Sequence, residues 1–357
     1  MKACEKMRSG LIRQAITLVI ALVGMQGALL AAQTPGTVKA YFADVEGGQA
    51  TLFVTPTGDS MLVDTGWPGF SGRDADRIVA LCRQAGVKKI DTVVITHFHT
   101  DHVGGVPQLV ARIPIGQFID HGPNREMDGD ITEKGFALYQ QALAEKKIPR
   151  STAHLGEVLP VKGMRVEVVS ADGEVLPKPV AGGGMANAAC ASSPEKQVEN
   201  SENDRSIGML ITYGKLRIAD LGDLTWAKER PLMCPINELG TVDVYIVSHH
   251  GMERSGSPAL VNAIAPRVAI MDNGATKGGV ASSFETIEHS PRLKDLWQLH
   301  TAEGSDAAHN VKASRIANLS SAGDAGHSLE LTGNADGSFS VTNERTGETV
   351  RYAAAAN

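Results

Sequence analysis

The sequence predicts an α/β protein built from two β-rich halves with helices on the outside. Three observations indicate this class. Short runs of apolar and β-branched residues are separated by turns rich in glycine, proline and aspartate, as is typical of buried strands. Amphipathic stretches that suit surface helices alternate with these runs. Predicted strands in both halves also end in a carboxylate or a histidine, so we expect the functional groups at one edge of the sheets.

Composition and charge limit the size of the domain and the kinds of partner that the protein can bind. The chain has 357 residues, of which 42% are hydrophobic and 21% charged, so it can bury a large core as one large domain or two. Its formal net charge is −6. An acidic protein is not suited to strong nucleic-acid binding, and we expect a small-molecule substrate instead.

Residues 1–32 have the pattern of a signal peptide. Four basic residues precede an apolar run that ends in Ala31-Ala32. A retained membrane anchor is the alternative, because the run is nearly long enough to span a bilayer. Cleavage would leave one domain over 33–357 with a net charge of about −9 and no membrane span, in the periplasm or secreted.

The first half of the sequence predicts a β-sheet with helices packed beside it. Strands are predicted at 38–43, 51–55, 60–63, 91–95, 115–119 and 164–169, and helices at 74–85, from Gly104-Gly105 to Ala111, and at 131–147. A loop without periodicity follows at about 172–203. We expect it to border the active site, with a disordered insertion as the alternative.

The second half repeats this alternation. Strands are predicted at 207–213, 215–219, 242–247 and 267–271, helices at 282–288 and 293–299, and a hairpin at 329–331 and 338–341. Cys82 fits a core position. Cys190 and Cys234 lie in loops, where a disulfide and two free thiols are both compatible with the sequence.

The most informative stretch follows the strand predicted at 91–95. It reads His97-Phe98-His99-Thr100-Asp101-His102, so four side chains that can bind metal lie within six positions. His97 and His99 alternate and can face one point, while Asp101 and His102 can face a second. This spacing predicts a metal site with room for two ions.

Other predicted strand ends carry further polar groups. Asp44 and Asp64 end strands in the first half, Asp223 follows a glycine in the second half, and His249-His250 ends a buried strand. We expect Asp64 to orient the metal histidines, with a simple turn cap as the alternative. His121 either reaches the site or lies on a surface loop. For His300 and His309 we expect surface positions, with an approach to the site as the alternative.

These residues resemble the metallo-β-lactamase-fold hydrolases, whose H-x-H-x-D-H signature is present at 97–102. The chain also resembles the hydrolase domain of the ComEC competence proteins. That likeness depends on matching stretches at 44–49, 62–66, 221–223 and 243–251. It implies a four-layer αββα sandwich with the metals at one edge of the two sheets.

The resemblance also implies individual roles. His97 and His99 would hold one metal ion, Asp101, His102 and His250 the other, and Asp223 would bridge them. His249 would touch the substrate. From the site itself, we expect Asp101 also to orient the nucleophile, and Asp44, Asp64 and His121 to support the site or contact the substrate. Many family members have another histidine near 202–206, where this chain has none. Asn203, Asp204, His121 or water are the candidates to replace it.

The expected function is that of an exported metal-dependent hydrolase. Two divalent ions would activate a bridging hydroxide, with Zn²⁺ favoured by the imidazole and carboxylate ligands and manganese or iron also compatible. A phosphodiester or phosphate ester is the expected substrate. A lactam or lactone substrate, or a metal-bound binding protein without catalysis, are the alternatives.

Overall fold

Two β-sheets face each other in the computed structural model, which describes residues 36–127, 129, 131–305, 309–320 and 325–355. The strands of the first sheet are β1 Val38–Phe42, β2 Thr51–Val54, β3 Ser60–Val63, β4 Ile90–Val94, β5 Ile115–Asp120, β6 Arg150–Thr152, β17 Leu329–Gly333, β18 Phe339–Asn343 and β19 Thr349–Tyr352. Their order is β19-β18-β17-β1-β2-β3-β4-β5-β6. Strands β3 to β6 run parallel, so their carboxyl ends lie at one edge.

The second sheet has the order β16-β15-β14-β13-β11-β10-β7-β8. Its strands are β7 Arg165–Ala171, β8 Glu174–Val175, β10 Gly208–Tyr213, β11 Leu216–Asp220, β13 Val244–Ile246, β14 Val268–Met271, β15 Asp295–His300 and β16 Ile316–Asn318. Strands β11 and β13 to β16 are parallel, and their carboxyl ends form a second functional edge. The short strands β9 Met185–Ala186 and β12 Ile236–Asn237 pair separately.

Helices cover the outer face of each sheet. They are α1 Arg73–Gln84, α2 Thr100–Val103, α3 Val106–Leu109, α4 Ile131–Lys146, α5 Trp226–Met233, α6 Pro258–Ile264 and α7 Ala281–Glu288. One apolar core lies between the sheets, where Phe42 and Trp297 are buried. A second joins the first sheet to α1 and α4, and a third joins the second sheet to α5, α6 and α7. Three cores separate four layers, which confirms the predicted αββα sandwich.

Most predicted elements are confirmed to within a few residues, but the helix at 293–299 is wrong. This segment forms the parallel strand β15. Leu296 packs on the outer core and Trp297 on the core between the sheets. A strand that is buried on both faces has no regular alternation, so its sequence pattern cannot be distinguished from that of a short buried helix.

The loop predicted at about 172–203 has more structure than expected. It contributes β8 and β9 and short 3₁₀ turns, and Cys190 forms a disulfide with Cys234. Cys82 is buried, as predicted. The predicted signal peptide lies outside the described residues and stays a prediction. Among the residues that the structure describes, no helix is long and apolar enough to cross a membrane.

Candidate metal centre

The predicted histidines converge where the carboxyl edges of the two sheets meet. Strand β4 ends at Val94 and leads directly to His97 and His99, while Asp101 and His102 lie in α2. In the other sheet, Asp223 follows β11 and His250 follows β13. Contacts between these residues bring the strand ends of both halves into one buried cluster.

His97 and His99 form the first part of the centre, which we call the two-histidine group. His97 Nε2 lies 3.1 Å from His99 Nδ1, so the two ring nitrogens face one point. Thr96 Oγ1 lies 3.0 Å from His97 Nδ1, and Glu126 Oε2 lies 3.2 Å from His99 Nε2. These contacts engage the other two ring nitrogens and fix how the rings are oriented. The hydrogen bond to His99 lowers the pKa of Glu126 to about 2.

Asp101, His102 and His250 form the second part, which we call the three-ligand group. Asp101 Oδ2 lies 3.2 Å from both His102 Nε2 and His250 Nε2. With Asp223 these residues offer four ligand atoms that all lie within 4.8 Å of one another. This group is buried, so bulk solvent does not compete for its ligand atoms.

Asp223 lies between the two groups. Its Oδ2 is 3.8 Å from His97 Nε2 and 3.3 Å from His102 Nε2, and its Oδ1 is 3.6 Å from His250 Nε2. Burial raises the pKa of this carboxyl, but its electrostatic interactions with His249, His102 and His250 outweigh burial and hold the pKa well below its usual range. The carboxylate is therefore ionised and faces both groups.

Carboxylates also support the three-ligand group from behind. Asp64 Oδ2 lies 2.7 Å from His102 Nδ1, and Asp272 Oδ1 lies 3.3 Å from His250 Nδ1. Asp64 additionally accepts hydrogen bonds of 2.7 Å from the backbone N–H and the hydroxyl of Thr96. Burial disfavours the charge on His102, but Asp223, Asp101 and Asp64 raise its pKa well above the usual range. The Asp64 contact directs His102 Nε2 into the centre, and the Asp272 carboxylate lies near His250 Nδ1.

The backbone of the centre adopts conformations that side-chain-bearing residues rarely take. His249 and His250 have φ values of 54° and 55°, and Asp64 has 60°. Such left-handed residues concentrate at functional sites, where the surrounding structure holds them. His249 Nε2 lies 3.4 Å from Asp223 Oδ2, and Ser255 Oγ lies 3.3 Å from His249 Nδ1. Burial lowers the pKa of His249 to about 4.

The turn at 45–49 supports Asp101 from the opposite side. Gln49 N donates to the carbonyl oxygen of Asp101 at 3.2 Å. A Cβ on Gly48 would lie 2.4 Å from that oxygen, so only glycine allows this approach. Asp44, which precedes the turn, bonds to His300 Nε2 at 2.6 Å and to Arg77 at 3.0 Å. The expected surface position of His300 is wrong, because this side chain is buried on Asp44.

His121 is buried on a carboxylate and is not on a surface loop. Its Nε2 lies 2.8 Å from Glu202 Oε2, and its ring packs 4.5 Å from the ring of Phe98. Glu202 also accepts a hydrogen bond from Phe98 N at 3.1 Å. His121 and Glu202 therefore hold the backbone between His97 and His99. Asp204, another candidate ligand, is engaged with the hydroxyl of Thr225.

Three contributors to the centre were not identified from the sequence. Glu126 contacts His99, Glu202 holds Phe98, and Lys277 forms an ion pair with Asp101. None of the three directly follows a predicted strand. Each is also at least 27 residues from its partner in the sequence. The only local sign was the position of Glu202 at the end of the loop that was expected to border the site.

The donor set fits divalent metal ions. Asp223 Oδ1 is buried and, among the described residues, accepts no hydrogen bond. Buried carboxylate oxygens are rarely left without a partner, and a cation would satisfy this one. Imidazole nitrogens together with carboxylate oxygens are the ligands that zinc, manganese and iron share.

Comparison with known proteins agrees with the architecture. Residues 44–184 match the model of the Metallo-beta-lactamase superfamily. The chain has the metallo-β-lactamase fold. Within this fold, the HxHxDH stretch at 97–102 lies in the matched region, whereas Asp223 and the histidine pair at 249–250 lie beyond it.

Curated relatives of this metallo-β-lactamase-fold chain include two larger proteins. Recombination protein 2 of Haemophilus influenzae is 24% identical over 253 residues, which are 70% of this chain and 26% of that protein. ComE operon protein 3 of Bacillus subtilis is 22% identical over 189 residues, which are 53% of this chain and 20% of that protein. The chain thus spans about a quarter or less of each relative. The predicted resemblance to the fold and to competence proteins is confirmed.

One of the similar solved structures has a lower sequence identity to this chain. The metallo-beta-lactamase fold protein YhfI of Bacillus subtilis is 13% identical, with a TM-score of 0.43, over 73% of this chain and 95% of its own.

Proposed function

We propose that this protein is an exported metal-dependent hydrolase with a dinuclear centre that acts on a phosphate ester or phosphodiester. The observation that supports this best is the position of Asp223 between the two-histidine group and the three-ligand group. A carboxylate that faces two sets of ligands is suited to hold two cations a few ångströms apart. Zn²⁺ is the proposed metal, with manganese and iron compatible.

The residues around the centre would divide the work. When bound, two divalent ions would supply a water of lowered pKa and stabilise the negative charge that develops during hydrolysis. Asp101 would orient the attacking water and relay its proton. His249 is partly accessible at the centre and would contact the substrate. Asp64 and Glu126 would keep the histidine rings aligned.

The relatives favour phosphate chemistry. Their names refer to recombination and to the ComE operon, and nucleic acids are phosphodiesters. The net charge of −6 disfavours tight binding to long nucleic acid, so we propose a small phosphate ester or phosphodiester as substrate. Lactam or lactone hydrolysis is the second candidate. The absence of a histidine at 202–206 favours a third, a metal-bound binding protein without catalysis.

A substrate panel tests these candidates. Purified protein is assayed with bis-p-nitrophenyl phosphate, nitrocefin and a lactone, each with and without a chelator, and its bound metal is counted. We expect chelator-sensitive turnover of the phosphodiester and two metal ions per chain. The double variant His97→Ala/His99→Ala should lose this activity. Turnover of nitrocefin or the lactone alone, bound metal without any turnover, or full activity in the double variant would each contradict the proposal.

The proposed location outside the cytoplasm depends on residues 1–32 and on the disulfide between Cys190 and Cys234. Disulfides persist mainly in oxidising compartments. Cell fractionation with sequencing of the mature N-terminus tests this. An unprocessed cytoplasmic protein would contradict it.

A further inference from the structure

Lys277 is a partly exposed cation beside the candidate metal centre. The proposed metal ligands do not include it, and the mechanism proposed above does not use it. It lies in the loop between β14 and α7. Its ammonium forms an ion pair with Asp101 Oδ2. That same oxygen lies 3.2 Å from His102 Nε2 and from His250 Nε2. Lys277 therefore points at the atom by which Asp101 would bind a metal ion.

The position of Lys277 is built into the fold. The Lys277 carbonyl accepts a 2.9 Å hydrogen bond from Gly274 N, and Gly279 N donates to the carbonyl of His250 at 2.9 Å. A Cβ on Gly47 would lie 2.9 Å from the Lys277 Cβ, so the turn at 45–49 closes on the lysine stem. The ammonium also lies 5.0 Å from the ring centroid of Trp67. These contacts distinguish Lys277 from a mobile surface lysine.

Electrostatic repulsion would change the contacts of Lys277 if the centre held metal ions. A divalent ion competes with the ammonium for Asp101 Oδ2, because both are cations and the oxygen faces the histidine nitrogens. One carboxylate charge, that of Asp101, does not neutralise a dication and an ammonium together, so the pair favours a further anion. The side chain of Lys277 is 30% exposed, so it can reach an anion that arrives from solvent.

We propose that Lys277 binds the anionic oxygen of the substrate next to the metal ions and thereby selects phosphate esters and phosphodiesters over neutral lactones. The inference rests on the proposed hydrolase function. An ammonium that donates a charged hydrogen bond to a phosphoryl oxygen contributes to binding before reaction. Neutral substrates would gain nothing from it, so the lysine would act on specificity.

The test compares Lys277→Met with Lys88→Met in metal-loaded protein. Lys88 is exposed in the turn before β4, at the opposite end of that strand, so the control removes the same charge far from the centre. We expect Lys277→Met to raise KM for bis-p-nitrophenyl phosphate by about tenfold or more, with a smaller change in kcat. Calorimetric affinity for inorganic phosphate should fall by a similar factor. Lys277→Arg should recover part of both, and Lys88→Met should behave like the unchanged protein.

Three results would overturn the inference in different ways. Unchanged KM and phosphate affinity in Lys277→Met, with active unchanged protein, would remove Lys277 from substrate binding and leave the hydrolase proposal intact. One metal ion in the unchanged protein and two in Lys277→Met would show that the ammonium replaces a metal ion. Equal effects of Lys277→Met and Lys88→Met would indicate a general charge effect. If no phosphate ester is hydrolysed, the hydrolase proposal fails separately, and weaker phosphate binding by Lys277→Met would still support the lysine's role.

Discussion

The two parts of the metal centre differ in completeness. The three-ligand group combines two histidines and a carboxylate, and both of its imidazoles have a carboxylate behind them, Asp64 and Asp272. Within the part of the chain that the structure describes, the two-histidine group has two ligands of its own. One of its rings is backed by the hydroxyl of Thr96, and the His99 side chain is 25% exposed. The two groups share Asp223, so they are coupled but not equivalent.

This difference suggests an order of metal binding. Ligand number, burial and carboxylate support all favour the three-ligand group. We therefore expect it to fill first and the two-histidine group to fill at higher metal concentration. A centre of this kind can retain one ion under conditions that remove the other.

Replacing Asp223 should have the largest effect, because it removes the ligand that both groups share. We expect Asp223→Asn to lower hydrolysis by roughly 10³-fold, the scale of losing a charge-stabilising group in an active site. Metal counting should show that both groups are weakened. Asp76→Asn serves as the control, because Asp76 is exposed on α1 and its side chain is 65% accessible. Loss of only one ion in Asp223→Asn would mean that Asp223 does not link the two groups.

Replacing the carboxylates that support the histidine rings should affect the metal affinities of the two groups separately. We expect Asp64→Asn to weaken the tighter metal site by roughly 10–100-fold and Glu126→Gln to weaken the looser site by a similar or smaller factor. The reason is that Asp64 contacts His102, whereas Glu126 contacts His99. Stepwise metal titration monitored by a competing chromogenic chelator measures both constants in each variant.

The titration has a clear contrary outcome. If both variants weaken the same metal site, the two groups do not bind metal independently. The proposed difference between the two groups would then be wrong. Glu145→Gln provides a matched control for Glu126→Gln, because it removes an exposed carboxylate from the last turn of α4. It should leave both metal constants unchanged.

The sequence predicted the three-ligand group better than its surroundings. His97 to His102 form a local motif after an apolar strand, and Asp223 and His250 also follow predicted strands, so short-range patterns identify them. Glu126 and Glu202 contact the motif from 27 and 104 residues away in segments without periodicity. No local pattern encodes such contacts, because tertiary packing alone brings the segments together.

The prediction of the fold from sequence was limited in the same way, because contacts distant in sequence have no local pattern. Strands with one buried and one more exposed face were predicted within a few residues, as for β17, in which buried and partly exposed residues alternate. Strand β15 was mistaken for a helix, because burial on both faces removes the alternation. His300 was misplaced for a related reason. It ends this misassigned strand, and its partner Asp44 lies 256 residues away.

The smallest expected effect concerns a buried carboxylate outside the centre. Among the described residues, no cation lies beside this carboxylate. Glu229 in α5 accepts hydrogen bonds from Gly256 N at 2.6 Å and Ser257 N at 2.7 Å. Burial raises its pKa from 4.5 to about 7, whereas in Asp223 the neighbouring histidines reverse the effect of burial. The folded protein therefore holds the Glu229 proton more tightly than the unfolded chain does between about pH 4.5 and 7. Stability contributed by this group should fall as pH rises through that window.

Glu229→Gln isolates this contribution. We expect the free energy of unfolding of the unchanged protein to decrease by about 1–2 kcal/mol more than that of Glu229→Gln between pH 5 and pH 8. Denaturant unfolding of both proteins at several pH values, without added metal, measures the difference. Because the glutamine keeps one acceptor oxygen for the backbone of the α6 N-terminus, the variant should remain folded. Parallel pH profiles would show that Glu229 does not titrate in this range and that burial without a neighbouring cation does not set its charge.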